Sequence, residues 1–165
     1  MHAVKKRPDG TIAGVERWMT IDPGLNGHTG WAKWYGNIPT PYKTGVTKAW
    51  TGEHWEQEAR LTALEILTAS NGVNAVFIEM PEFWAGSVKS YTSTAKGDLF
   101  KLSFLVGCIS AALGTVPLNL LTPRQWKGQL KKAMVDRRIF AAIGKEYPEH
   151  ISDAVGMGLF LKGML

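Results

Sequence analysis

Apolar and polar positions alternate over residues 17–21, RWMTI, and again over 29–36, TGWAKWYG, where Trp31 and Lys33 oppose Ala32 and Trp34. A period of two predicts strands, the second antiparallel to the first. PYKTGVT (41–47) can close a meander as a third strand. The pattern then changes. GEHWEQEARLTALEILTAS (52–70) carries apolar residues at 55, 59, 63, 64, 66 and 67, which is helical spacing, and Asn71-Gly72 supplies its stop. NAVFIEM (74–80) is a short continuous apolar run after a helix, which predicts a buried strand parallel to the first.

PEFWAGSVKSYTSTAKG (81–97) is rich in Ser, Thr and Gly and reads as a mobile loop. DLFKLSFLVGCISAALG (98–114) is a helix apolar nearly all round, with Asp98 at its amino end, Gly114 as its stop, and Gly107, Ala111 and Gly114 making one side small. VPLNLLTP (116–123) is a further strand, RQWKGQLKKAMVDRRIFAAIGKEYP (124–148) a basic segment with at least one amphipathic helix, and HISDAVGMGLFLKGML (150–165) a last helix. The order of strands, helix, strand, helix, strand and two helices predicts one α/β domain over 15–165. Its centre is a mixed β-sheet of about five strands flanked by α-helices. Residues 1–14, with Lys5, Lys6 and Arg7, read as a flexible basic amino-terminal arm.

Composition narrows the partners. Nineteen Lys and Arg against 14 Asp and Glu leave a charge of +5 on 165 residues, which favours a polyanion but also suits a plain solvated surface. The single cysteine, Cys108, reads as a buried small hydrophobe and excludes a disulfide framework or a cysteine-based zinc site. The amino terminus lacks the apolar core of a signal peptide, and no apolar stretch approaches bilayer length. A soluble, intracellular, cytoplasmic protein with no membrane partner is expected.

Three acids have comparable placements. Asp22 ends the first strand in IDPG, Glu79 ends AVFIE, and Asp153 stands near the start of the last helix, with His150 three residues earlier on the same helical face. Each has a plain reading, as turn former, solvated strand end or helix cap. If they converge, their charges repel unless a cation intervenes. Mg²⁺ prefers oxygen ligands and can serve phosphodiester hydrolysis in pairs. His28 and His54 read as structural or solvent-exposed, and Trp18, Trp31, Trp34 and Trp50 as core or edge aromatics.

IDPGLNGHTGWA, VFIEMPEF, TPRQWKGQLKK and HISDAVGMGLFL resemble the four motifs of the RuvC family of Holliday-junction resolvases, in a divergent phage- or virus-like form, over roughly residues 17–162. The resemblance implies a ribonuclease H-like fold, a homodimer and branched DNA, a four-way junction, as substrate. It implies metal ligation by Asp22, Glu79, His150 and Asp153, with two Mg²⁺ per site and Mn²⁺ able to substitute. Some family members have Asp at the position of His150, which leaves it ligand or proton-transfer group, with Glu149 as a possible substitute. Lys127 and Lys132 match the family's catalytic basic positions, with Lys131 an alternative to Lys132.

Phosphate contacts are expected from Lys89, Arg124, Lys127, Lys131, Lys132, Arg137 and Arg138. Stacking or wedging is expected from Phe83 and Trp84, with packing against the sheet as the alternative, since the family's aromatic stands one position earlier, where this chain has Glu82. Helix 98–114 is either the dimer contact or an ordinary core helix. The function implied is a metal-dependent, structure-selective DNA endonuclease that resolves four-way junctions by symmetric paired nicks, acting in host cytoplasm if phage-encoded. A nuclease of the same fold acting on other branched DNA or RNA–DNA hybrids competes with it, as does a non-catalytic DNA-binding scaffold.

Overall fold

In the computed structural model, which describes residues 16–25, 28–36, 38–48, 54–82, 92 and 96–165, the first strand is Arg17–Asp22 (β1). Its alternation builds two cores. Trp18 packs on one face of the sheet, and Thr20 bonds toward the same side. Met19 and Ile21 pack on the other. β2 (Gly30–Tyr35) pairs antiparallel with β1, and β3 (Lys43–Val46) with β2. β4 (Ala75–Glu79) lies parallel to β1 on its other side, and β5 (Leu118–Leu121) parallel to β4. The sheet is mixed and five-stranded among the described residues, in the order β3-β2-β1-β4-β5. The predicted parallel direction of the strands ending in Asp22 and Glu79 holds, and the two strands are neighbours.

Helices cover both faces. α1 (Trp55–Ala69) and α2 (Asp98–Leu113) pack together over Met19, Ile21, Val76 and Ile78. The α2 residues Leu105, Val106, Ile109 and Leu113 are buried, while Phe100 is 66% exposed. The helix that is apolar nearly all round thus buries one side in this chain and shows another. Cys108, expected to be buried, is only partly so, packed at the margin of this core. The basic segment divides into a short turn of helix, α3 (Pro123–Trp126), and α4 (Lys132–Ile143). Thr122 caps α3 reciprocally with Gln125, and Pro123 occupies the first turn, so the strand predicted to run to residue 123 stops at Leu121. Val135 and Ile139, one turn apart, seat α4 on the core that contains Trp18.

The last helix, α5 (Glu149–Lys162), crosses the other face of β1 and β2. There Trp18 and Trp34 stack with centroids 5.1 Å apart, and Phe77 meets Trp18 edge-on at 5.7 Å. Glycine lets the helix approach this closely: a Cβ at Gly158 would fall on the fully buried Trp34 ring. Gly158→Ala is therefore expected to destabilise the protein by about 2 kcal/mol, an overpacking cost of about 3 kcal/mol reduced by about 1 kcal/mol of helix propensity. A melting experiment should show Tm lower by about 4–8 °C. An unchanged Tm would mean that α5 does not lie on Trp34.

Candidate active site

Strand parity delivers two acids to one place. Asp22 shares a β1 face with Trp18 and Thr20, and Glu79 shares a β4 face with Ala75 and Phe77. Ile21 pairs with Ile78, so the next residue on each parallel strand, Asp22 and Glu79, stand side by side at the carboxyl ends. Crevices at such ends are where open α/β sheets hold ligands.

The third acid arrives from α5, positioned by a buried polar strap. Trp34 Nε1 donates to Thr20 Oγ1 at 3.0 Å, and the Thr20 hydroxyl donates to the carbonyl of Ala154 at 2.7 Å. That bond fixes the first turns of α5 over β1, and with them His150 and Asp153. Gly30 permits the approach, because a Cβ there would strike the backbone of His150. His150 Nδ1 lies 3.3 Å from Asp22 Oδ2, and the His28 ring stacks on His150 with centroids 5.2 Å apart. His28, expected to stand alone, is thus part of the site's wall.

Two lysines enter among the carboxylates. Lys127 Nζ is 3.8 Å from Glu79 Oε2 and 3.8 Å from Asp153 Oδ2. Lys132 Nζ is 2.7 Å from Asp153 Oδ1. Lys131, the alternative to Lys132, is exposed at the N-cap of α4. The buried Trp126 donates from Nε1 to Glu79 Oε2 at 2.6 Å, and its flat face takes the Lys127 ammonium at 4.8 Å. Glu149 is exposed, and its carbonyl accepts from Lys132.

The electrostatics are those of crowded acids. Burial holds the Asp22 carboxyl above its ordinary range, and the charge of Asp153 adds to this while the His150 hydrogen bond opposes it. Burial, then the charge of Asp22, pushes Glu79 up to about 7, against Lys127 and Trp126. The hydrogen bond to Asp22 raises His150 in spite of burial. Burial would lower Lys132, but the hydrogen bond and charge of Asp153, with Asp136, outweigh it and the net shift is upward.

Three carboxylates and one imidazole form a donor set of the kind Mg²⁺ and Mn²⁺ accept. Burial, with the neighbouring acid charges, pushes Asp22 and Glu79 toward their protonated forms, and a bound cation would favour the ionised ones. Among the described residues no three His, Cys, Asp or Glu side chains close on a single point as they stand, and Lys127 reaches both Glu79 and Asp153.

Of the residues expected at DNA, Lys131, Arg137 and Arg138 are exposed on or beside α4. Arg124 is exposed on α3, 3.7 Å from Glu82. Phe83, Trp84 and Lys89 lie outside the described residues, as do the arm at 1–14 and Trp50. The roles of Trp126, Thr20 and His28 carried no sequence signal of their own. Among the described residues no helix is long and apolar enough to cross a membrane.

No protein-family model matches the sequence, and no curated protein is detectably similar to it. Solved structures are similar. The chain superposes on Thermus thermophilus RuvC with a TM-score of 0.64 at 18% identity, covering 87% of this chain and 92% of that one. For T. thermophilus RuvC in complex with a Holliday junction substrate the TM-score is 0.62 at 21% identity, covering 88% and 91%. For the yeast mitochondrial Holliday junction resolvase it is 0.56 at 10% identity, covering 90% and 80%. The neighbours are Holliday junction resolvases, and the mixed five-stranded sheet with flanking helices is their ribonuclease H-like fold.

Proposed function

We propose that this chain is a divalent-metal-dependent endonuclease that resolves four-way DNA junctions by paired, symmetric nicks. The observation that carries the reading is that Asp22 and Glu79 end neighbouring parallel strands while Lys127 links Glu79 to Asp153 at the start of α5, with Lys132 on Asp153 as well. The likeness to resolvases in fold, and to one solved with a Holliday junction, supports the choice of substrate.

In this reading Asp22, Glu79, His150 and Asp153 hold two Mg²⁺ ions, or Mn²⁺ in their place. When bound, the ions supply Lewis acidity at the scissile phosphate and the leaving oxygen. The protein's own groups do the rest. Lys127, freed from Glu79 and Asp153, offsets charge on the phosphoryl group, and Lys132 holds the acid wall in place from the α4 side. Arg124, Lys131, Arg137 and Arg138, with Lys89, contact phosphates without regard to sequence. Phe83 and Trp84 follow Glu79 closely in sequence and provide faces for an unstacked base. A two-fold dimer presents two such sites to the two strands to be cut, with α2 and its exposed Phe100 as the contact.

Synthetic four-way, three-way, flap and RNA–DNA hybrid substrates, each incubated with Mg²⁺ or with chelator, sort the possibilities. The expected product is paired nicks on the four-way junction, with no cutting under chelator. Efficient cutting of the hybrid with the four-way junction untouched overturns the substrate. No cutting of any substrate with Mg²⁺ or Mn²⁺ overturns the enzyme and leaves a DNA-binding scaffold.

A further inference from the structure

Lys132 is gripped from outside the acid cluster as well as from within it. Its ammonium lies 2.7 Å from Asp153 Oδ1, 3.2 Å from Asp136 Oδ1 and 3.1 Å from the carbonyl oxygen of Glu149. An ammonium has three protons, and these three oxygens from α4 and α5 are placed to take them. Asp136 follows Lys132 by one helical turn, an i,i+4 neighbour on the same face of α4. Such pairs on an open helix hold loosely. This one differs, because Asp136 Oδ1 also accepts from Ser152 Oγ at 2.5 Å. Ser152 is buried on α5, immediately before Asp153. The hydroxyl fixes the carboxylate, the carboxylate fixes the ammonium, and both attachments lead to the turn of α5 that carries Asp153.

We propose that Asp136, locked by Ser152, is a positioning residue that keeps the Lys132 ammonium at the acid cluster when Asp153 is engaged elsewhere. The role assigned to Lys132 rests on the nuclease reading; the clasp itself does not. Once a cation or a phosphate-bound partner claims the oxygens of Asp153, Lys132 loses its nearest anion. A four-carbon side chain with its rotamers open then drifts to solvent. Asp136, held by Ser152 from α5, still presents an oxygen 3.2 Å from the ammonium and retains it beside the acid cluster. The clasp also limits how strongly Lys132 competes for Asp153, because the ammonium always has a second carboxylate to hold.

The test uses the full chain and two readouts. Asp136→Asn keeps an oxygen for Ser152 and removes the charge; Ser152→Ala keeps the charge and removes the lock. In metal-free protein, acetylation of Lys132 by a lysine-specific reagent, followed by mass spectrometry, is expected to be about fivefold faster in Asp136→Asn than in wild type, and faster to a lesser degree in Ser152→Ala. In four-way junction cleavage, Asp136→Asn is expected to lower kcat about tenfold with KM changed by no more than about twofold. The double variant with Lys132→Met is expected to cleave no more slowly than Lys132→Met alone, because Asp136 acts through that lysine. Unchanged Lys132 reactivity in both variants overturns the clasp, and so does a further loss of about tenfold in the double variant. If wild-type protein cuts nothing, the nuclease reading fails and the acetylation rates alone decide the clasp.

Discussion

Asp153→Asn is expected to abolish junction cleavage while leaving junction binding intact or tighter. The change is nearly isosteric, so the strap from Thr20 to Ala154 and the packing of Gly158 on Trp34 remain. What goes is the charge that faces Lys132 at 2.7 Å and Lys127 at 3.8 Å, and that meets Asp22 and Glu79 across the cluster. An amide oxygen is a poor substitute for a carboxylate toward a divalent ion. The fall in cleavage should be at least about 10³-fold, beyond what loss of one oriented hydrogen-bond donor costs. Binding behaves oppositely, since removing an anion from a surface that receives phosphates lowers repulsion. Glu79→Gln should match it in cleavage, because a glutamine oxygen still accepts from Trp126 Nε1, bonded at 2.6 Å in the wild type, and so preserves the local structure. Single-turnover cleavage of a labelled four-way junction, with gel shift under chelator, reads both quantities. Cutting by either variant within about tenfold of wild type would remove the acid cluster from the chemistry.

The positions of these acids are partly legible in the sequence. Residues 17–22 and 75–79 alternate or run apolar in a way that fixes them as strands, and once those strands are parallel neighbours, parity alone sends Asp22 and Glu79 to one face. Which face, and what meets it there, is a matter of tertiary packing. The arrival of Asp153 depends on Trp34 and Thr20 reaching a carbonyl on α5, 134 residues beyond Thr20, and on glycines at 30 and 158 that allow the helix down onto the sheet. Neither hydrophobic period nor motif spacing encodes that contact. The sequence favours Lys132 but leaves Lys131 as its alternative for a related reason. Their sequence contexts are alike, and only the phase of α4, set by the burial of Val135 and Ile139, turns one lysine inward and leaves the other exposed. Trp126 is one tryptophan among seven, and its bond to Glu79 comes from the capped turn α3 that follows β5, the neighbour of β4. His28 read as isolated, since the stacking partner that gives it a place is 122 positions away by simple subtraction from His150.

Raising the pH from about 5 to 8 is expected to destabilise the metal-free protein, the reverse of ordinary carboxylate behaviour. Glu79 carries the effect. Its carboxyl, 4.5 in an unfolded chain, is pushed up to about 7 in the folded one. Between those values the folded chain holds a proton that the unfolded chain has released, so stability from this group is complete below 4.5 and is lost as pH rises through about 7. The size is about 3 kcal/mol, or a fall in Tm of about 10 °C. Asp22, raised by burial, has the same sign. His150, raised from 6.5 by Asp22, also has it, with its contribution complete below 6.5 and lost above its folded value. Lys132, raised from 10.5, stays charged throughout this window and leaves the slope alone. Glu79→Gln should flatten most of the fall, because a side chain that cannot ionise has no proton to lose. Saturating Mg²⁺ should cancel it from the other direction. The ion needs the carboxylates ionised, so protons compete with it at pH 5 and have ceased to compete at pH 8. The rise in Tm on adding Mg²⁺ is then small in acid and largest at pH 8. Thermal melts at both pH values, with chelator and with Mg²⁺, measure all of this together. A chelated protein that gains stability from pH 5 to 8, or a Mg²⁺ increment that does not change with pH, would mean that Glu79 is neither crowded by its neighbours nor a partner of the ion.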